Sequence, residues 1–310
     1  MAEFRAGTPE QDAFLAELLD AGLLIASGVP GVFGRGEDFE RVRRGFDARI
    51  SVEAATEAPE HLVFPPLLPK RQLEEIGYLK NFPHLAGTIF AFDGDEAQAT
   101  EQEVRADRHE DWSEFQGPTD LVLTPAACYP IYPAVAARGK LAPGGVTVDA
   151  GGSYVFRNEP SGDPARLQMF HQREIVRLGE PETVVEWRER WRNLAVELLR
   201  GVGLQADLDV ASDPFFGRSG RLLARSQKAQ ELKFEVLVPI AGEEPTAVAS
   251  FNYHQDHFTS VYGIEVDAED PTAHTACLGF GLERITLALL RKHGLDPDAW
   301  PGEVSGELGL

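Results

Sequence analysis

The 310-residue sequence predicts an α+β fold, a largely antiparallel β-sheet flanked by helices. Two observations carry this reading. From residue 85 onward, β-rich runs are separated by loops and hairpin-like turns more than by crossover helices. Two long segments among them show apolar residues at helical spacing. Apolar residues make up 43% of the chain, ordinary for a globular protein and too high for a disordered one.

The elements follow in order. An amphipathic opening helix is predicted over Pro9–Ser27, with Phe14, Leu15, Leu18, Leu19 and Leu23 at helical spacing. The Gly/Pro-rich stretch Gly28–Gly36 reads as a turn, because no Gly-Lys-Ser/Thr ending supports a phosphate loop. A charged segment with Arg41, Arg43, Arg44 and Arg49 comes next. Predicted strands are Gly87–Phe92, Asp120–Ala126, Ser153–Glu159, Gln168–Leu178, Lys233–Ile240 and Ala247–His254. One helix follows Pro181 and runs to Arg200, with Val184, Trp187, Trp191, Leu194 and Leu198 on its apolar face and Gly201 as its stop. Arg188, Arg190 and Arg192, interleaved with the tryptophans, are expected on its outer face. A second helix starts near Gly281, carries Leu282, Ile285 and Leu289 inward, and stops at Gly294.

Composition excludes several classes. No apolar run approaches the ~18 residues of a spanning helix. The N-terminus has neither the basic nor the apolar region of a signal peptide, and two cysteines make no disulfide framework, so a reducing cytoplasm is expected. A net charge of −21 disfavours a generic polyanion binder, since such binding needs Lys and Arg against phosphates.

The chemistry concentrates in two segments. In SYVFRNEPSGDPARLQMFHQREIVRL, two strands flank a turn-rich loop. Period-2 alternation puts Arg157 and Glu159 on one face, and Phe170, Gln172 and Glu174 together on the partner. A solvated sheet edge with a salt bridge would show the same residues. In Cys277-Leu278-Gly279-Phe280-Gly281-Leu282-Glu283-Arg284, a strand enters a helix through glycines, with Arg284 on the first turn. Glycine lets backbone approach a ligand, and arginine forks onto phosphate oxygens.

Together, Phe-Arg-x-Glu with a distal aromatic and Gly-x-Gly-x-Glu-Arg resemble motifs 2 and 3 of the class II aminoacyl-tRNA synthetases. The closer resemblance is to seryl-tRNA synthetase, over residues 115–290 or so; motif 1 falls around Asn81-Phe82-Pro83. Phe234-Glu235-Val236-Leu237-Val238-Pro239 looks like that family's Asp-Leu-Glu-Val-x-Leu-Pro strand, and Leu123–Cys128 stands where it has Thr-x-Glu. The resemblance implies a class II synthetase-like sheet in a single domain, with residues 1–110 an N-terminal extension containing the motif 1 region. It implies that Arg157 holds the ATP α-phosphate, Glu159 the adenine amino group and Phe170 the adenine face. Arg284 would take the γ-phosphate and Glu235 Mg²⁺, with Asn252 as a further candidate near that ion. Fixed arginines and a metal suit an adenylation, which builds negative charge at the α-phosphorus.

Cys128 and Cys277 are the two cysteines, and they flank the expected amino-acid pocket with Glu174 between them in sequence. Two thiolates and a carboxylate make three protein ligands, the pattern of a zinc site with an open position. Two buried cysteines serving as small apolar residues is the competing reading. The set resembles the zinc-dependent seryl enzymes of methanogens, in which zinc binds the substrate amine.

About 110 residues precede the matched core, and they show no sustained heptads or basic face of a tRNA-binding arm. A truncated, zinc-containing, seryl-like chain resembles the bacterial amino acid:carrier-protein ligases. That resemblance implies a cytoplasmic homodimer that activates glycine or alanine with ATP and passes it to the phosphopantetheine thiol of a carrier protein, not to tRNA. A minimal aminoacyl-tRNA synthetase, or a silent paralogue that senses amino acids, are the alternatives. Carrier proteins are acidic, so a local basic patch is needed. Arg218, Arg221, Arg225 and Lys228 recur at helical spacing and form the candidate docking stripe, although a solvated helix face would look the same.

Overall fold

A computed structural model describes residues 4–242 and 244–310; the first three residues of the N-terminus considered above lie outside the described residues. The helices are α1 (Pro9–Asp20), α2 (Glu37–Ala54), α3 (Lys70–Glu75), α4 (Tyr78–Asn81), α5 (Glu96–Asp107), α6 (Ile131–Ala136), α7 (Pro181–Gly201), α8 (Gly217–Ala229), α9 (His257–Tyr262), α10 (Leu282–His293) and α11 (Gly302–Leu308). The strands are β1 (Leu24–Ala26), β2 (Phe33–Arg35), β3 (Glu60–His61), β4 (Leu67–Pro69), β5 (Thr88–Phe92), β6 (Gln116–Leu123), β7 (Val146–Phe156), β8 (Met169–Gly179), β9 (Asp207–Val210), β10 (Lys233–Val238), β11 (Thr246–Gln255) and β12 (His274–Gly281).

Seven strands form the main sheet in the order β3-β7-β8-β12-β11-β10-β9. All its pairings are antiparallel except β3 with β7. Alternation along the strands splits the core. Ile175, Leu278 and Phe280 join α1, α2, α7 and α10 in one cluster, while Val176, Leu178 and Cys277 face a second with α6 and α9. The apolar stripe of α2 (Phe39, Val42, Phe46, Ile50) is fully buried against α10 and α11, so the N-terminal residues share the main core. A small sheet, β4-β6-β5, flanks the second cluster.

Several elements depart from expectation. The opening helix stops at Asp20, not Ser27, because Gly22 turns the chain with φ +69° and Leu24–Ala26 then pairs with Phe33–Arg35. The Gly28–Gly36 stretch is therefore a hairpin tip plus a strand. The opening helix α1 begins at a capping box: the Thr8 hydroxyl accepts from the Gln11 N–H, and the Gln11 side chain accepts from the Thr8 N–H. Arg157 and Glu159 lie beyond β7, not on a strand face. The Glu159 N–H donates back to the Arg157 carbonyl (2.8 Å), turning the chain ahead of Pro160. Arg188 is buried rather than on an outer face. It donates to the Glu231 carbonyl (2.8 Å) and lies 5.2 Å from the Phe234 ring centroid, because the strip beside Trp187 and Trp191 also packs on β10. The helix α10 is buried almost all round, more than one apolar face requires. Short strands such as β3 and β9 have too few residues to show a period.

Candidate active site

A cavity of about 1320 Å³ opens on the second face of the main sheet. Every predicted site residue lines it: Cys128, Arg157, Glu159, Phe170, Glu174, Glu235, Asn252, Cys277 and Arg284. The positions come from sheet register. Phe170, Gln172 and Glu174 alternate down one face of β8, as expected, and β12 places Gly279 opposite Glu174. On the next strand, Asn252 pairs with Cys277.

At one end, the ligating atoms of Cys128, Glu174 and Cys277 lie within 4.8 Å of one another, all three residues buried. The Cys128 N–H donates to Glu174 Oε2 (2.8 Å), which ties the loop after β6 to β8. Burial raises the Cys128 thiol well above its ordinary value, and Cys277 and Glu174 beside it push the same way. A hydrogen bond with Cys128 pulls Cys277 down, but burial and Glu174 leave it raised. Burial also raises Glu174, against the hydrogen bonds of both cysteines. Three buried acids crowded together are the donor set that a divalent cation would balance. Two buried acceptor atoms beside them, Tyr132 Oη and Asn252 Oδ1, lack hydrogen-bond partners. The residues therefore fit zinc. His254 is a contributor the sequence did not single out. Its Nε2 is 3.5 Å from Cys277 Sγ, and burial, with His257 nearby, lowers its pKa to about 3, leaving a neutral ring.

At the other end, Arg157, Arg166 and Arg284 converge. Burial, together with the charges of Arg166 and Arg157, lowers the Arg284 pKa to about 10. Clustered like charges at a cavity are what a polyanion relieves. Arg284 is held by the carbonyls of Ala165 (2.8 Å) and Ala247 (2.9 Å), and Arg157 lies 5.6 Å from the Phe170 ring centroid. Arg166 was missed, although its place in the loop between Glu159 and Phe170 was a usable signal. In this structure it pairs with Glu159 (2.9 Å), so that carboxylate already has a cationic partner.

Glu235 has a partner as well. The buried Lys233 ammonium bridges Asp213 (2.6 Å) and Glu235 (3.0 Å), which leaves the second Glu235 oxygen out of the pair. Gln227 of α8 donates to Asp213 (2.8 Å), linking that helix to the cavity wall. Asn252 stands beside Cys277, its Nδ2 3.5 Å from the sulfur, and one strand away from Glu235's neighbour Lys233. Motif 3 also has a buried anchor. Glu283 accepts from the His171 N–H (2.8 Å) and pairs with Arg35 (2.8 Å), locking α10 to the strand that carries Phe170.

Gly279 packs tightly on its neighbour Gln172. A Cβ there would lie 2.8 Å from Gln172 Nε2, and Gln172 Oε1 holds the Ala127 N–H beside Cys128. Gly279→Ala is expected to cost roughly 1–3 kcal/mol by overpacking, read as a lower denaturation midpoint with an unchanged m-value.

The four residues of the basic stripe are exposed on α8, where only Gly220 is buried. Phe216, Leu222 and Leu223 are also exposed, and Leu223, Ser226 and Gln227 line the cavity mouth. Among the described residues, no helix is long and apolar enough to cross a membrane.

No protein-family model matches the chain. It is 45% identical to amino acid–acyl-carrier-protein ligase 1 of Bradyrhizobium diazoefficiens, over 93% of this chain and 88% of that protein. It is also 45% identical to ligase 2 of the same organism, over 98% of this chain and 90% of that one. In fold it is similar to the seryl-tRNA synthetase of M. kandleri, solved with A. aeolicus tRNASec, at TM-score 0.79 and 20% identity. That likeness covers 95% of this chain and 60% of the synthetase.

Proposed function

The chain belongs to the amino acid–acyl-carrier-protein ligase family, and from that premise we propose that it activates a small amino acid, glycine or alanine, with ATP and transfers it to the phosphopantetheine thiol of a carrier protein. In the first step the substrate carboxylate attacks the α-phosphorus and pyrophosphate leaves. In the second, the carrier thiol attacks the acyl carbon and AMP leaves. One observation carries the reading: a single cavity is lined at one end by Cys128, Glu174 and Cys277, and at the other by Arg157, Arg166 and Arg284.

In this reading Arg157 holds the α-phosphate, where charge builds in both displacements, and Arg284 the γ-phosphate. Phe170 stacks on adenine, and Glu159, released from Arg166, accepts from the adenine amino group. Glu235 turns its second oxygen to the Mg²⁺ that accompanies ATP. Cys128, Glu174 and Cys277 hold zinc, one ion per subunit, which when bound supplies an open position for the lone pair of the substrate's free amine. Most of the catalytic work is positioning, since fixed groups hold both reacting centres. The cytoplasm suits two cysteines that are free thiols. A homodimer fits the exposed Phe90 and Phe92, which share one face of β5.

Pyrophosphate exchange with each amino acid, run with and without a zinc chelator, tests the activation step. Exchange with glycine or alanine that the chelator abolishes is the expected result. No exchange with any amino acid would favour a silent sensor. Charging of tRNA by the purified chain, and not of a phosphopantetheinylated carrier, would make it a minimal synthetase.

For the carrier we assign the docking surface to α8, whose Arg218, Arg221, Arg225 and Lys228 form one exposed face beside Leu222, while the exposed Leu223 lines the cavity. A basic stripe flanked by exposed apolar side chains suits an acidic partner. The double charge reversal Arg221→Glu, Arg225→Glu should raise the KM for carrier about tenfold or more while leaving pyrophosphate exchange unchanged. Unchanged carrier kinetics would remove α8 from the interface.

A further inference from the structure

We infer that His254 is a positioning residue for the Cys128–Glu174–Cys277 centre, its Nε2–H donating to Cys277 Sγ while Thr275 fixes the ring. This rests on the reading that the three residues hold zinc. The His254 ring is pinned on every side. Its Nδ1 is 3.0 Å from the Oγ1 of Thr275, which is fully buried, and its Nε2 is 3.5 Å from Cys277 Sγ. The Phe258 ring meets it edge-on at 4.9 Å, and Tyr132 closes the far side at 6.3 Å.

Backbone geometry aims the side chain. The β11–β12 register shifts between Tyr253 and Gln255, so His254 is the extra residue of a β-bulge. Gln255 takes φ +54°, a conformation that a non-glycine residue adopts at a cost. Bulges next to sites re-aim single side chains, and strained residues persist where the surroundings over-determine them. Here the result is a ring nitrogen directed at one sulfur.

His254 does not join the group of mutually close ligand atoms, so it stands outside the ligand set. When the Thr275 hydroxyl donates to Nδ1, the ring proton sits on Nε2 and faces Cys277. Asn252 Nδ2 approaches the same sulfur at 3.5 Å. Two N–H donors on one thiolate draw off electron density and fix the sulfur lone pairs. Such outer groups orient ligands and set metal affinity.

The test uses the full chain, stripped of metal and titrated with Zn²⁺ against a chromophoric chelator, then with Co²⁺ to read the thiolate-to-metal absorption band. His254→Phe, which keeps the ring and loses the donor, should weaken zinc about 10–100-fold and move the cobalt band to lower energy. His254→Gln, which keeps an N–H donor, should recover most of both. Thr275→Val should shift both partway, since the ring is then free to change tautomer. Affinity within about twofold of wild type and an unmoved band in His254→Phe would overturn the inference. So would complete zinc loss equal to that of Cys277→Ala, because His254 would then be a ligand. If the wild-type chain takes up no zinc, the zinc reading itself falls; if it does and His254 is indifferent, only this inference falls.

Discussion

Cys277→Ala and Cys128→Ala are each expected to give a folded chain that retains no stoichiometric zinc and loses amino-acid-dependent pyrophosphate exchange by 10²-fold or more, roughly. Replacing an outer partner of a metal ligand already costs about 10–100-fold in affinity or activity, and removing the ligand itself should exceed that. The fold should survive. Each cysteine is a small buried side chain, and truncation removes one sulfur from a core of large apolar residues. Metal analysis of the purified variants, with circular dichroism to confirm the fold, checks the result. Zinc retained at one equivalent in either variant would contradict the site.

Arg157→Ala carries the second-largest effect. Loss of a preorganised donor at a centre of developing charge costs about 10²–10³ in kcat. The fall should appear in kcat for pyrophosphate exchange, with zinc content unchanged because Arg157 is not a ligand. Arg157→Lys should recover little, because an ammonium restores charge without the planar fork. The guanidinium also packs over Phe170, so Lys leaves that ring less covered. A kcat within about tenfold of wild type in Arg157→Ala would remove Arg157 from the α-phosphate.

Much of this protein was legible in one dimension. Period-2 runs marked β8, β10 and β11, and the 3.6-residue period with Pro181 and Gly201 as brackets marked α7. These are local properties of the chain. The site residues were legible for a different reason: Arg157, Glu159, Phe170, Glu235 and Arg284 stand at motif positions, and the one cavity they line collects them all. Even the basic stripe was readable, as one helical face.

What the sequence could not say was which charges face one another. Glu159 looked available for a ligand, yet Arg166 reaches across the motif 2 loop to it. Glu235 looked like a free metal ligand, yet Lys233 on the same strand bridges it to Asp213. Arg188 looked solvated because its neighbours in sequence are charged, but the ring of Phe234 lies beneath it. Each pairing depends on distances set when separate segments pack, and periodicity carries no record of them.

By itself, then, the sequence determined the α+β class, the main strands and helices, and the list of chemical groups, because period and residue type are written locally. Tertiary structure decided how those groups meet. Cys128 and Glu174 come together only because the loop after β6 donates to β8, and His254 reaches Cys277 only because β11 bulges against β12. Residues 254 and 277 lie on different strands, and only sheet register makes them neighbours.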